Sequence, residues 1–143
     1  HDSLASMLRE AFDRYGDDLC LIEADRDRER CRLTYRELRA AVLMLAGEFA
    51  QQRVRRVAIL MTNQSKWHVT AAAAFWVGAT VVPLDPKLSP EEHDALLKHA
   101  EADTLVVEHH RRPGDAVTQR IGDDDLISAE HEIREVQDAL VVG

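Results

Sequence analysis

The stretch Trp76-Val77-Gly78-Ala79-Thr80-Val81-Val82-Pro83-Leu84-Asp85-Pro86 restricts the fold of this chain more than any other. It reads as the end of an apolar helix, a glycine stop, a short strand and a Pro-Leu-Asp-Pro exit. Gly78 can take the left-handed conformation that closes a helix without a Cβ penalty. The β-branched run Thr80 to Val82 suits a strand covered on both faces. Pro83 and Pro86 lack backbone donors, so the ladder is expected to fail there. One more strand-helix pattern lies on either side, which makes this the middle strand of a parallel βαβαβ unit.

Upstream, Ser3 is placed to cap a helix whose apolar face is Leu4, Met7, Leu8, Ala11, Phe12 and Tyr15, with Gly16 as its stop. Leu19 to Ala24 reads as a strand, and the sign-alternating Asp25-Arg26-Asp27-Arg28-Glu29-Arg30 as a solvated turn whose acids cancel its arginines. In Leu33-Thr34-Tyr35-Arg36-Glu37-Leu38, Thr34 and Glu37 stand at the N-cap and N3 positions of a capping box. Leu33 and Leu38 stand at those of a hydrophobic staple. The helix that follows should bury Leu38, Val42, Leu45 and Phe49 and show Arg39, Glu48 and Gln52.

A connector, Arg53 to Arg56, leads into the first parallel strand, Val57 to Met61. Asn63 or Ser65 then caps a helix that is apolar nearly all round from Trp67 to Val77 and is expected to be buried. His68 reads as a partly exposed helix residue rather than a ligand. Ser89-Pro90-Glu91-Glu92 repeats the start signal, and Ala95, Leu96, Leu97 and Ala100 are expected on the buried side of the next helix. Thr104 to Glu108 is the third parallel strand, and His109 to Asp115 a loop with Pro113-Gly114. Ile133, Val136 and Leu140 have helical spacing within Glu130 to Leu140, although Leu140 to Gly143 can also begin a strand.

Composition narrows the function classes. A chain of 143 residues has room for one domain with a core. Its net charge of -8 argues against a nucleic-acid or anionic-membrane surface. No apolar run approaches the ~20 residues of a membrane helix. The opening residues alternate charge with apolar groups, unlike a signal peptide. Cys20 and Cys31 flank the expected hairpin and read as reduced thiols of a cytoplasmic protein, with a disulfide between them as the disfavoured alternative.

Chemistry is harder to find. There is no glycine-rich phosphate loop of either common type and no Gly-x-Ser-x-Gly elbow. His93 and His99 are six apart on a helix and do not share a face, and His109-His110 has no companion at ligand spacing. Asp123-Asp124-Asp125 reads as solvated charge rather than a hard-cation site. No catalytic, cofactor-binding or metal residue is assigned.

Three segments in register nevertheless resemble one family. These are Leu33 to Leu38, then Val57-Ala58-Ile59-Leu60 with Asn63 and Trp67, then Gly78 to Pro86. Their order and spacing resemble the N-terminal region of the adenylate-forming enzymes: AMP-dependent acyl-CoA synthetases, nonribosomal-peptide adenylation domains and luciferases. The resemblance implies an α/β fold, a parallel βαβαβ sheet flanked by helices with an N-terminal helix and hairpin. It spans residues 19–108 within a single domain over 1–143, and is weakest over 109–143.

The implied activity has two steps. A carboxylate attacks the α-phosphate of ATP to give an acyl-adenylate and pyrophosphate, and a thiol then takes the acyl group. ATP, Mg²⁺ and CoA or a carrier-protein pantetheine are implied for the full-length enzyme, and none of them for this chain alone. The matched motifs build scaffold in that family, so no catalytic residue carries over. The resemblance thus points to the inactive N-terminal segment of a carboxylic (fatty) acid–CoA ligase, partnered by the remainder of its own enzyme. Exposed apolar surface would also offer a homodimer contact. The alternatives are a fragment of a peptide-synthetase adenylation domain or a stand-alone, non-catalytic interaction module.

Two departures from the family stand out. The connector Gln52-Arg53-Val54-Arg55-Arg56 lacks the family's glycine, so its turn must be built differently. Residues 117–143 read as contiguous sequence ending in the strand Leu140 to Val142, with a remnant of the family's hinge and C-terminal subdomain as the alternative.

Overall fold

The computed structural model describes residues 2–109 and 115–120, with side chains through Val107. Its elements follow in the order α1 (Leu4–Tyr15), β1 (Leu19–Asp25), β2 (Arg28–Thr34), α2 (Tyr35–Gln51), β3 (Arg56–Leu60), α3 (Ser65–Trp76), β4 (Thr80–Leu84), α4 (Pro90–Ala100), β5 (Thr104–His109) and β6 (Asp115–Arg120). Reciprocal capping starts α1, α2 and α4. Ser3, Thr34 and Ser89 accept from the amides of Ser6, Glu37 and Glu92, whose side chains return the bond to the N-cap amide. Each exchange satisfies two helix-end donors that would otherwise lack partners.

The expected parallel unit forms. β3 runs parallel to both β4 and β5, with Val57 opposite Val81 on one flank and Thr104 on the other. The order across the sheet is β4-β3-β5-β6. Among the described residues the second parallel strand in sequence therefore lies at the flank, and β3 is central. That placement corrects the expectation of a strand covered on both faces: in β4, Thr80 and Pro83 are exposed, Val81 and Val82 half-buried, and Leu84 buried. It also explains why the ladder continues through Pro83, which sits opposite Ile59. On a flanking strand a missing donor can face away from the paired side. A second correction concerns β6. The stretch read as loop ends at its start, and Asp115–Arg120 returns antiparallel along the length of β5.

Alternation along β3 and β5 divides the core between the two faces of the sheet. Val57, Ile59 and Val106 belong to the larger cluster, with Val42, Leu45 and Phe49 of α2 and Val69 and Ala71 to Ala74 of α3. Ala58, Leu105 and Val107 belong to the smaller one, with Leu84, Leu97 and Ala102. The expected buried stripe of α2 and the burial of α3 are both present. α1 docks through its second half: Phe12 is buried and lies 6.0 Å from the Trp76 ring, whereas Leu4, Met7 and Tyr15 remain exposed. The Arg9 guanidinium covers Trp76 at 4.5 Å, a cation–π contact that reinforces the dock.

α4 departs from expectation on its inner face. Leu97 is buried, but Ala95 and Leu96 turn outward, and His93 takes the inward place one turn earlier. A helical period places His93 and Leu97, four apart, on one stripe.

The glycine-free connector is built from a left-handed arginine and a carboxylate. Arg53 takes φ 53, and the Val54 amide closes on the Phe49 carbonyl at 3.1 Å. Asp103 then accepts from the amides of Arg55 and Arg56 at 2.8 and 3.0 Å, tying the start of β3 to the start of β5.

β1 and β2 form a separate antiparallel hairpin. Its register sets Cys31 opposite Glu23, while Cys20 lies in an irregularity near Leu33 and Thr34. The two cysteines thus do not face each other, and both are free thiols. Pro113-Gly114, Asp123 to Asp125, the helix expected over Glu130 to Leu140 and the strand Leu140 to Val142 lie outside the described residues.

Candidate functional site

Open α/β sheets bind ligands outside the carboxyl ends of their strands, where neighbouring strands send their connections to opposite faces. Here that point lies between β3 and β4. β3 leads into α3 on the larger core, and β4 leads into α4 on the smaller one. The loops at this mouth are 61–64 and 85–89. In the first, Met61 is buried and Thr62 and Asn63 are exposed, and Gln64 Nε2 donates to Thr62 Oγ1 at 3.2 Å.

The second loop is pinned by Asp85. Its carboxylate accepts from the Lys87 amide at 2.9 Å, and its carbonyl accepts from the Leu88 amide at 3.2 Å. Buried His93 sets Nε2 2.7 Å from that same carbonyl, which places the proton on Nε2 as donor. This is why a histidine occupies the inner stripe of α4: its ring closes the Pro-Leu-Asp-Pro exit onto the helix that follows. The mouth offers a hydroxyl, an amide and a carboxylate for hydrogen bonding.

Beside it, a shallow groove of 190 Å³ runs between β1 and the start of α3, lined by Leu21, Ile22, Glu23, Ala24, Asn63, Gln64, Ser65 and His68. Neither Asn63 nor Ser65 caps α3. Gln64 is the N-cap and makes no side-chain cap bond. The partner comes instead from the hairpin: Glu23 accepts from the Ser65 amide at 2.6 Å. A carboxylate at this position also complements the positive end of the helix dipole. His68 is exposed, as expected from sequence.

The Cys20 thiol, on β1, is not an activated nucleophile. Burial raises the pKa of Cys20, and a hydrogen bond with Tyr35 only partly opposes that. Tyr35 is in turn raised, chiefly by its charge interaction with Cys20. His93 and His99 are not brought together, one being buried and the other exposed. No group of three or more His, Cys, Asp or Glu among the described residues could hold a metal ion. No described helix is long and apolar enough to cross a membrane.

Sequence reasoning missed Glu23, Asp85 and His93. Asp85 had a local signal, since Asp directly before a proline favours a side-chain turn. The other two act on partners that no local pattern specifies.

Comparison with known proteins places this scaffold. The N-terminal domain of FACL13 from Mycobacterium tuberculosis, in an inhibitor-bound structure, aligns at TM-score 0.66 and 22% identity, over 73% of this chain and 26% of that one. NpsA-ThdA, an artificially fused adenylation-PCP di-domain NRPS from Klebsiella oxytoca, aligns at 0.67 and 21%, over 76% and 20%. O-succinylbenzoate coenzyme A synthetase from Bacillus subtilis, in complex with ATP and magnesium ion, aligns at 0.63 and 27%, over 71% and 27%. The first two similarities establish the fold. This chain spans only about a fifth to a quarter of the length of these structures. A search of curated protein sequences finds no match. The family profile described as AMP-binding enzyme matches residues 8–142, nearly the whole sequence. Together with the parallel β3, β4 and β5 unit, that match shows that the chain belongs to the AMP-binding enzyme family.

Proposed function

We propose that the chain is the N-terminal segment of an ATP-dependent carboxylic acid–CoA ligase that makes an acyl-adenylate and passes the acyl group to a thiol. The observation that carries this reading is the family match over residues 8–142 on a chain a fifth to a quarter as long as its solved neighbours. In this reading the segment supplies scaffold: a parallel sheet, the helices on its two faces and the pinned loops at its carboxyl edge. ATP, Mg²⁺ and CoA or pantetheine are held by the remainder of the enzyme, with fatty acids as the favoured substrate class. The location is cytoplasmic, in keeping with two free thiols. The segment is contiguous N-terminal sequence, a reading supported by β6 pairing along β5. The exposed apolar side chains Leu4, Met7 and Met44 would then meet the rest of the enzyme or a second copy.

The adenylation-domain neighbour, which is as similar in fold as the others, favours a second reading in which the thiol is a carrier-protein pantetheine. ATP–pyrophosphate exchange by the full-length protein, over fatty, aryl and amino acids, tests both. Exchange stimulated by a fatty acid, with CoA consumed, supports the first reading. Exchange with amino or aryl acids and no CoA consumption supports the second. No exchange with any acid overturns adenylation, as does exchange by the 143-residue chain alone for the scaffold role.

A further inference from the structure

We infer that Glu23 is a latch: it straps the β1–β2 hairpin to the first turn of α3, so that the hairpin and the loop leaving β3 are held or released together. The hairpin shares no ladder with the parallel sheet among the described residues. Its near end is anchored by backbone and side chain. The Tyr35 amide donates to the Asp18 carbonyl at 3.0 Å and the Arg36 amide to the Gly16 carbonyl at 2.8 Å, and Arg36 pairs with Asp17. Its far end has no such anchor among these bonds. The turn around Arg26 is exposed, and that residue stands at φ 54, in the left-handed region.

Between the two ends, Glu23 is turned inward while its neighbours Ile22 and Ala24 are exposed, and it reaches Ser65 across 42 positions. α1, α2 and α4 each carry a local capping box, whereas α3 has no side-chain bond from its own N-cap. The first amide of α3 is thus satisfied from the hairpin, whereas the other three helices satisfy their third amide and their N-cap amide from within their own first turn. That start follows directly on Thr62 and Asn63, at the carboxyl edge of the central strand. Opening the latch would free a donor on α3, loosen the loop and release the far half of the hairpin in one event.

Backbone amide hydrogen exchange on the 143-residue chain tests this. Glu23→Ala is expected to raise exchange about fivefold at Ser65 and in the distal hairpin, the effect of a lost cap, while α4 amides stay unchanged. Glu23→Gln keeps an acceptor oxygen and is expected to give a smaller rise at the same positions. It carries the comparison should Glu23→Ala not fold. Adding Gln64→Ser to Glu23→Ala places a hydroxyl that can accept from the Lys66 or Trp67 amide, and is expected to restore protection there but neither at Ser65 nor in the hairpin. The latch is overturned by unchanged hairpin exchange in Glu23→Ala, by an equal rise in α4, or by a local cap that restores the hairpin as well.

Discussion

On one face of the parallel sheet, Val57, Ile59 and Val106 lie beneath α2 and α3, with α1 docked against α3. On the other face, among the described residues, Ala58, Leu105 and Val107 cluster with Leu97 of α4. The difference begins in sequence. α3 is apolar around its circumference and can be enclosed, its run of alanines letting neighbours approach closely. α4 is a charged helix with one narrow stripe, in which a hydrogen-bonded histidine precedes Leu97. A parallel sheet needs cover on both faces, but the covers need not be equal. Stability should follow the deeper cover, while the shallower one fixes the exit loop after β4.

The largest expected effect tests that division directly. Phe49, at the end of α2, is fully buried in the larger cluster. Phe49→Ala should destabilise the chain by about 3–5 kcal/mol, through lost transfer energy and the cavity left behind. Leu97→Ala, on the smaller cluster, removes fewer atoms from a site that is also fully buried and should cost about 2–3 kcal/mol. Urea denaturation of the two variants settles the order. A greater loss for Leu97→Ala would reverse the ranking of the two faces.

How far the sequence reveals each face depends on the range of the interactions. The larger face is legible because its signals are local. Leu38, Val42, Leu45 and Phe49 recur at helical spacing, Thr34 and Glu37 sit three apart, and Gly78 takes the positive φ its position suggested. The smaller face is less so. Ala95 and Leu96 look like core by hydropathy, yet the stripe is chosen by His93 through a bond to the Asp85 carbonyl eight positions earlier. β4 reads as fully covered because its residues are β-branched, but coverage depends on its flanking place in the sheet, which a strand pattern does not encode. The site residues fail for the same reason at longer range. Glu23 caps a helix 42 positions away, while Asn63 and Ser65, which fit the local rule, do not.

The smallest expected effect sharpens the comparison by removing one alternative explanation. If α2 were simply a better-started helix than α4, the unequal faces would reflect capping rather than burial. The hydroxyl bonds of the two boxes match in the structure: Thr34 accepts from the Glu37 amide at 3.2 Å, and Ser89 accepts from the Glu92 amide at 3.2 Å. Thr34→Ala and Ser89→Ala should therefore each cost about 1 kcal/mol. They should differ by less than about 0.5 kcal/mol, within the spread expected of surface changes. Thr34→Ser, which keeps the hydroxyl, should be nearly neutral. Paired urea titrations would show it: matched capping losses beside unmatched losses for Phe49→Ala and Leu97→Ala assign the asymmetry to burial, whereas a much larger loss for Thr34→Ala would assign it to helix initiation.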